Sequence, residues 1–417
     1  MFSLKLSHTA WPHLPRSLRG APALLAACLA AAPAAFAQGS AAPQFASTQV
    51  MGGLSEPWDI AFAPGGPMFF TEKCAGLSVR MPDGAVRRLM GNAQGYALRA
   101  NDLFCQGQSG VHGVAVDPAF AQGQRFVYVF SASNLSTNPR SNRVIRLRVN
   151  DDFSRVSERT DIVTDIRYKE GGGGAGGPGA HSGGRLRFGP DGFLYVTTGD
   201  NHHPDIPQSP TLIGGKVLRI DRDGKAAPGN NTPSDFDARI YAYGMRNPQG
   251  LTFRPAGQPG AGQPFIAEHG PNHSDEVSAL APGANGGWDP RNRPGLDCRG
   301  NGYCGYAGNA QTMPMTDTQR FADALRPLWT NQSKSEGMGP AEFLSGPQWR
   351  EWNGALAVGL MRERRLDLLT IGPDSRSARA VVAEVLGSPR LRSLVQGPDG
   401  ALWAATDSGQ ILRMTLR

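Results

Sequence analysis

One cadence constrains this chain more than any other feature: a short apolar strand, a Gly/Pro turn, and a second short strand, repeated from end to end. It reads as PWDIAFAPGGPMFF (57–70), GVHGVAVDPAFAQGQRFVYVF (110–130), GRLRFGPDGFLYVTTGD (184–200), GLTFRPAGQPGAGQPFIAEHG (250–270) and SLVQGPDGALWAATDSGQILRMTL (393–416), with a degenerate copy, WREWNGALAVGLMRERRLDLLTI, at 349–371. Alternation broken by turn residues is the signature of hairpins, and no long 3.6-residue period competes with it. About six irregularly spaced copies predict an all-β fold, a six-bladed β-propeller of four-stranded antiparallel blades. In that architecture the loops of one rim converge on the axis, so residues distant in sequence can share a site. Residues 168–181 and 289–338 are too rich in glycine or polar residues to be core and read as long loops.

Composition agrees with many tight turns: 54 of 417 residues are glycine, about 13% against a usual ~7%, and only 18% are charged against ~25%. The net charge is +7, and residues 1–37 hold three basic residues, Lys5, Arg16 and Arg19, with no acid, leaving +4 for the rest. A balance that mild, with no basic run, argues against nucleic acid as a partner.

The N-terminus has the form of an export signal: basic residues end at Arg19, an Ala/Leu-rich core begins at Ala21, and Ala35-Phe36-Ala37 precedes Gln38 as a small-x-small cleavage site. The expected organisation is therefore a signal peptide over 1–37, a leader over 38–52 and the propeller over 53–417, in a periplasmic or secreted protein. Leu25-Ala26-Ala27-Cys28 also fits a lipoprotein signal, which leaves lipidation at Cys28 open. No later stretch approaches the ~20 apolar residues of a membrane span. Four cysteines remain, Cys74, Cys105, Cys298 and Cys304, and an even count in an exported chain predicts two disulfides, with Cys298–Cys304 as a local pair.

The stretch from Tyr243 to Trp288 carries the most chemistry. Arg246 offers a planar fork for a carboxylate or phosphate beside the amide of Asn247. Gly270-Pro271 is a turn expected to leave backbone carbonyls free, close to Asp275-Glu276, and carbonyls with carboxylates are what calcium takes as ligands. His202 and His203 in Asn201-His202-His203-Pro204-Asp205 suggest metal chemistry, but adjacent histidines in a strand-end loop rarely face one point, so they read as exposed on the rim.

Five runs then carry a family resemblance: GQSGVHGVAVDP (107–118), HSGGRLRFGPDGFLYVTTGD (181–200), YGMRNPQGLTF (243–253), EHGPNHSDE (268–276) and RLRSLVQGPDG (390–400). The chain from about Gly53 onward resembles the exported pyrroloquinoline-quinone (PQQ)-dependent sugar dehydrogenases, the soluble glucose and aldose sugar dehydrogenases. The resemblance implies oxidation of the anomeric carbon of an aldose to a lactone, by hydride transfer to PQQ, with His181 as general base. It implies cofactor contacts at Gln108, Arg246, Asn247, Arg362, Arg390 and Arg392. Calcium is implied at Gly270 and Pro271 through carbonyls, and at Glu276 with the backbone near Gly286. An external electron acceptor and a monomer or homodimer complete the expectation. Two positions depart from the family pattern: Ala180 stands where an acid often precedes the base, and Arg362 stands where glucose-oxidising members carry a lysine. Those departures keep a second reading open, a calcium-binding propeller that binds glycans or protein partners without redox chemistry. A third, a calcium-dependent lactone hydrolase, fits poorly with so many arginines expected around the channel.

Overall fold

The computed structural model describes residues 42–135, 140–171, 176–385 and 387–417. The expected signal peptide, Cys28 and part of the 168–181 loop lie outside the described residues.

Six strands, Pro57–Phe62, Val111–Val116, Leu186–Phe188, Pro248–Phe253, Met338–Phe343 and Leu391–Gln396, each begin an antiparallel meander. Each of these strands packs beside the next and the last packs beside the first, so they form a closed ring. The meanders stack radially on one another through apolar side chains. Phe69 and Leu77 of the first meet Val127 and Val129 of the second, and Tyr128 and Phe130 of the second meet Leu194 and Leu218 of the third. Ile60 and Phe70 close the circle against Ala405 and Ile411. Both faces of a strand are thus covered, which is why Val111–Val116 and Phe126–Ser133 read as nearly continuous apolar runs.

The result is an all-β propeller with almost no helix; among the described residues helical structure is limited to the 3-10 turns Phe120–Gln122 and Pro347–Trp352. The expectation of six separate four-stranded sheets is not met. Hydrogen bonding gives five sheets among the described residues, of eight, four, five, four and five strands. The eight-stranded sheet arises because Gln44–Met51 pairs antiparallel with Gln410–Leu416 and, over Gln44 and Phe45, parallel with Ala378–Val385. Residues 44–51, assigned from sequence to a leader ending before Gly53, are therefore a strand of the propeller.

Two further expectations are corrected. The degenerate copy at 349–371 lies one strand out of step: its strands Leu356–Leu360 and Arg365–Ile371 are the second and third of their meander, and the first, Met338–Phe343, begins where the supposed loop 289–338 ends. That loop also has a small core, with Trp288, Tyr303, Cys304, Met313 and Met315 buried together. The disulfides pair Cys298 with Cys304, as expected, and Cys74 with Cys105.

Charge gathers on the axis. Asp59 of the first inner strand accepts bonds from both terminal nitrogens of Arg187, at 2.8 and 3.0 Å, and from the Ser393 hydroxyl at 2.7 Å, and it pairs with Arg185. Burial alone would raise its carboxyl, but the two guanidinium groups overcome this and hold it at about 2. One buried acid so ties the first, third and last inner strands together.

Candidate active site

The residues singled out from sequence stand largely where inner strands begin. Gln108 precedes Val111–Val116, His181 precedes Leu186–Phe188, Asn247 immediately precedes Pro248–Phe253, and Arg390 immediately precedes Leu391–Gln396. The closed ring brings these starts to one rim, around a cavity of about 400 Å³. His181, Gln108, Asn247, Arg390 and Arg392 all line it, together with residues the sequence did not single out for a role there: Lys73, Trp58, His202, His269, Tyr306 and Asp407.

His181 is the best-defined group. It is 7% exposed and takes a left-handed backbone (φ 53°), with its carbonyl held by the Asn201 amide at 2.9 Å. Its Nδ1 lies 2.6 Å from Asp200 Oδ1. Asp200 is itself fully committed: Oδ1 also accepts the His202 backbone N–H at 2.9 Å, and Oδ2 accepts Trp288 Nε1 at 2.8 Å and the Tyr303 hydroxyl at 2.9 Å. A carboxylate with four donors around it stays an acceptor toward Nδ1, which puts the imidazole hydrogen on Nδ1 and the lone pair on Nε2. Burial, followed by the nearby cationic Arg246, pushes the His181 pKa well below its ordinary value, so the ring is neutral. The acid missing at Ala180 is thus supplied from the far end of the same hairpin. Trp288, just before the 289–338 segment, and Tyr303, within it, tie that segment over the site through Asp200.

His202 overturns its sequence reading. It is 1% exposed, not on the rim, with its Nε2 at 2.9 Å from His181 Nε2 and 3.1 Å from the Tyr306 hydroxyl. The residue turns inward because Asn201 and His202 both adopt positive φ (50° and 53°).

The basic residues divide. Arg390 and Arg392 both meet Asp407, Arg392 through Nε and Nη2 at 2.8 Å each. Two guanidinium groups share one carboxylate, and burial with the proximity of Arg390 and Arg185 pulls Arg392 down to about 9. Lys73 is paired with Glu56 at 2.7 Å. Arg246, expected as an anion grip, lies behind the wall: it is 1% exposed, and its terminal nitrogens donate to the His269 carbonyl at 2.6 Å and the Tyr306 hydroxyl at 2.8 Å. Asn247 accepts the Gly183 N–H at 3.1 Å through its side chain, bracing the turn after His181. Arg362 is exposed and does not line the cavity; its guanidinium donates to the Ser335 carbonyl at 3.4 Å. Gln108 reaches the Gly176 carbonyl at 3.3 Å.

The calcium expectation fares unevenly. The Gly270 carbonyl accepts one bond, from His269 Nδ1 at 2.6 Å, which leaves its second lone pair, and Asp275 is spent on the N–H of Gly270 and on Ser335, Glu336 and Gly337. A cation there would therefore have the carbonyls of Gly270 and Pro271 as ligands and not the Asp275 carboxylate. Glu276 is different. It sits directly opposite Glu268 across the strand pair, and burial raises both, Glu268 to about 7. Two buried carboxyls side by side suit a divalent ion better than two lone charges. Gly286 makes its own bond to the Tyr243 carbonyl at 2.8 Å. Among the described residues no group of three or more His, Cys, Asp or Glu is poised to hold a metal.

A family model described as glucose/sorbosone dehydrogenase matches residues 54–413. The chain is 27% identical over 390 residues to the aldose sugar dehydrogenase YliI of Escherichia coli, spanning 90% of this chain and 95% of that protein. A Thermus thermophilus oxidoreductase described as a glucose dehydrogenase superposes with a TM-score of 0.67 at 29% identity, covering 89% and 99% of the two chains. The PQQ-bound aldose sugar dehydrogenase of Streptomyces coelicolor gives a TM-score of 0.66 over 90% and 100% of the chains, and at 24% identity that likeness speaks for the fold.

Proposed function

The chain belongs to the glucose/sorbosone dehydrogenase family, and from that membership we propose that it is an exported quinoprotein that oxidises aldose sugars at the anomeric carbon. The observation that carries this reading is the Asp200–His181 pair, which leaves a neutral imidazole with its lone pair on Nε2 at the cavity wall. His181 Nε2 takes the proton of the anomeric hydroxyl as the C–H hydride leaves, and a lactone results. PQQ, when bound, would supply the hydride acceptor.

The cavity suits a flat tricarboxylate. Arg390 and Arg392 offer guanidinium forks that Asp407 alone under-neutralises, Lys73 stands beside them already paired with Glu56, and Trp58 and Met361 give apolar faces. Gln108 and Asn247 add amides at the same wall. Arg246 acts from behind, by holding Tyr306 and the His269 carbonyl. Calcium enters this proposal at Glu276, as counter-charge for two buried carboxyls, and at the carbonyls of Gly270 and Pro271. The Asp200–His181 pair favours catalysis over a purely binding propeller, because a binding wall has no need of a base held in one tautomer.

We count six blades, taking the eight-stranded sheet as two meanders joined along the Gln44–Met51 seam. The two disulfides support export from the reducing cytoplasm. The test is reconstitution with PQQ and Ca²⁺, followed by a dye-coupled screen over mono- and disaccharides. Turnover of at least one aldose is expected, and His181→Gln should lower kcat by ~10²–10⁴-fold with PQQ still bound. A His181→Gln protein that keeps its full kcat ends the proposal.

A further inference from the structure

Tyr306 is shared by two hollows. Its hydroxyl accepts Arg246 Nη2 at 2.8 Å and stands 3.1 Å from His202 Nε2, in the wall of the cavity that holds His181. The same residue also lines a second, open hollow of about 240 Å³, together with Asp297, Arg299 and Tyr303. The Arg299 guanidinium lies over the Tyr306 ring, 5.1 Å from its centre. Asp297 and Arg299 are both exposed, and among the described residues neither side chain has an ion pair or a hydrogen bond. An acceptor and a donor fork therefore stand free beside an aromatic ring.

This second hollow is built on a fastened loop. Cys298–Cys304 closes it, the Arg299 N–H donates to the Tyr303 carbonyl at 3.2 Å, and the Gly302 N–H donates to the Arg299 carbonyl at 2.7 Å. Asn301 Nδ2 ties it to the His202 carbonyl at 3.0 Å, and the Tyr303 hydroxyl donates to Asp200, the carboxylate that orients His181. Groups held in place before binding lose less freedom when a ligand arrives. An aromatic face flanked by a few polar groups suits a sugar ring, whose C–H face packs on the aromatic while its hydroxyls meet carboxylate and guanidinium. The two charges cancel, so a neutral sugar fits better than one carrying a carboxylate, which would face Asp297.

We propose that the hollow at Asp297, Arg299 and Tyr306 is a subsite for a second, neutral sugar residue, so that the preferred substrate is a disaccharide or longer glycan whose reducing-end aldose sits at His181. Asp297 accepts and Arg299 donates hydrogen bonds to hydroxyls of the second residue, and Tyr306 packs against the glycan where it passes from one hollow to the other. This rests on His181 being the base.

Binding and turnover test it separately. In the PQQ-loaded protein, calorimetry with methyl β-cellobioside and methyl β-maltoside, whose capped anomeric oxygen prevents oxidation, should show at least one of them bound about 10-fold more tightly than methyl β-glucoside. Arg299→Ala and Asp297→Asn, both at exposed positions, should each remove most of that preference. They should also lower the ratio of kcat/KM for the favoured disaccharide to that for glucose by about 10-fold. Equal affinity for the mono- and disaccharide glycosides in the wild type, or a preference that both variants retain, overturns the subsite. Tighter binding of an aldobiouronic acid than of its neutral counterpart overturns the assignment to neutral sugars. A wild-type protein that oxidises no aldose yet shows the binding preference defeats the base reading and leaves the subsite standing.

Discussion

At the scale of single residues, the site depends on one carboxylate whose acceptor capacity is used up. Asp200 receives His181, His202, Trp288 and Tyr303, and it thereby fixes the His181 tautomer. Asp200→Asn can offer an amide N–H to Nδ1 and so reverse that tautomer; kcat should fall ~10²–10⁴-fold with PQQ affinity, followed by absorbance titration, unchanged. A loss of less than 10-fold would show that orientation of the ring does not need this acid. Gly199 is a second sensitive point: a Cβ there would meet the His181 carbonyl at 2.1 Å and the Asn247 side chain at 2.9 Å. Gly199→Ala should therefore lower both Tm and kcat, by calorimetry and dye assay. His181 was legible in sequence through the run that begins with it. Its acid was not, because the family pattern points to residue 180, whereas the hairpin Leu186–Phe188/Leu194–Thr197 returns the chain and delivers Asp200 from 19 residues away. His202 was misread for a conformational reason: positive φ at Asn201 and His202 has no reliable signal in a non-glycine residue.

At the scale of elements, the hairpin cadence placed five of the six inner strands. It slipped in the fifth meander, where Met338–Phe343 carries Gly339-Pro340 at its centre and does not read as an apolar run. The 289–338 segment was read as a polar loop because its apolar residues are few and scattered; their meeting around Trp288 is a tertiary event that no local period announces. Loops here are tied covalently as well. Cys74–Cys105 links a turn of the first meander to the loop that carries Gln108. Closing a loop of this length is worth ~4 kcal/mol, so Cys105→Ser should lower Tm by several degrees. It should also weaken PQQ binding in the same titration, since Gln108 loses its anchor; unaltered PQQ affinity would mean that Gln108 is held by other bonds.

At the scale of the whole molecule, the axis carries buried charge, and stability must follow pH. Glu342 is raised to about 7 by burial, against the opposing pull of Arg187. Its folded pKa lies above the unfolded one near 4.5, so the folded state binds more protons between those values. The stability it contributes is complete below pH 4.5 and is lost as pH rises toward 7, with a slope of at most ~1.4 kcal/mol per pH unit from this group. Glu342→Gln should flatten the fall in denaturation midpoint between pH 5 and 7 relative to the wild type; parallel curves would assign the dependence elsewhere. The seam makes a second prediction. A chain starting at Ala42 should fold, while one starting at Gly53 should lose the Gln44–Met51 strand and melt well below it by circular dichroism.

That seam also sets an order of events. Gln49 and Gln410, bonded in the finished protein, lie 361 residues apart along the chain, so the earlier stretch has no edge to join until the later one has been made. Until then the circle has a gap. Only when the last strand arrives does the molecule latch.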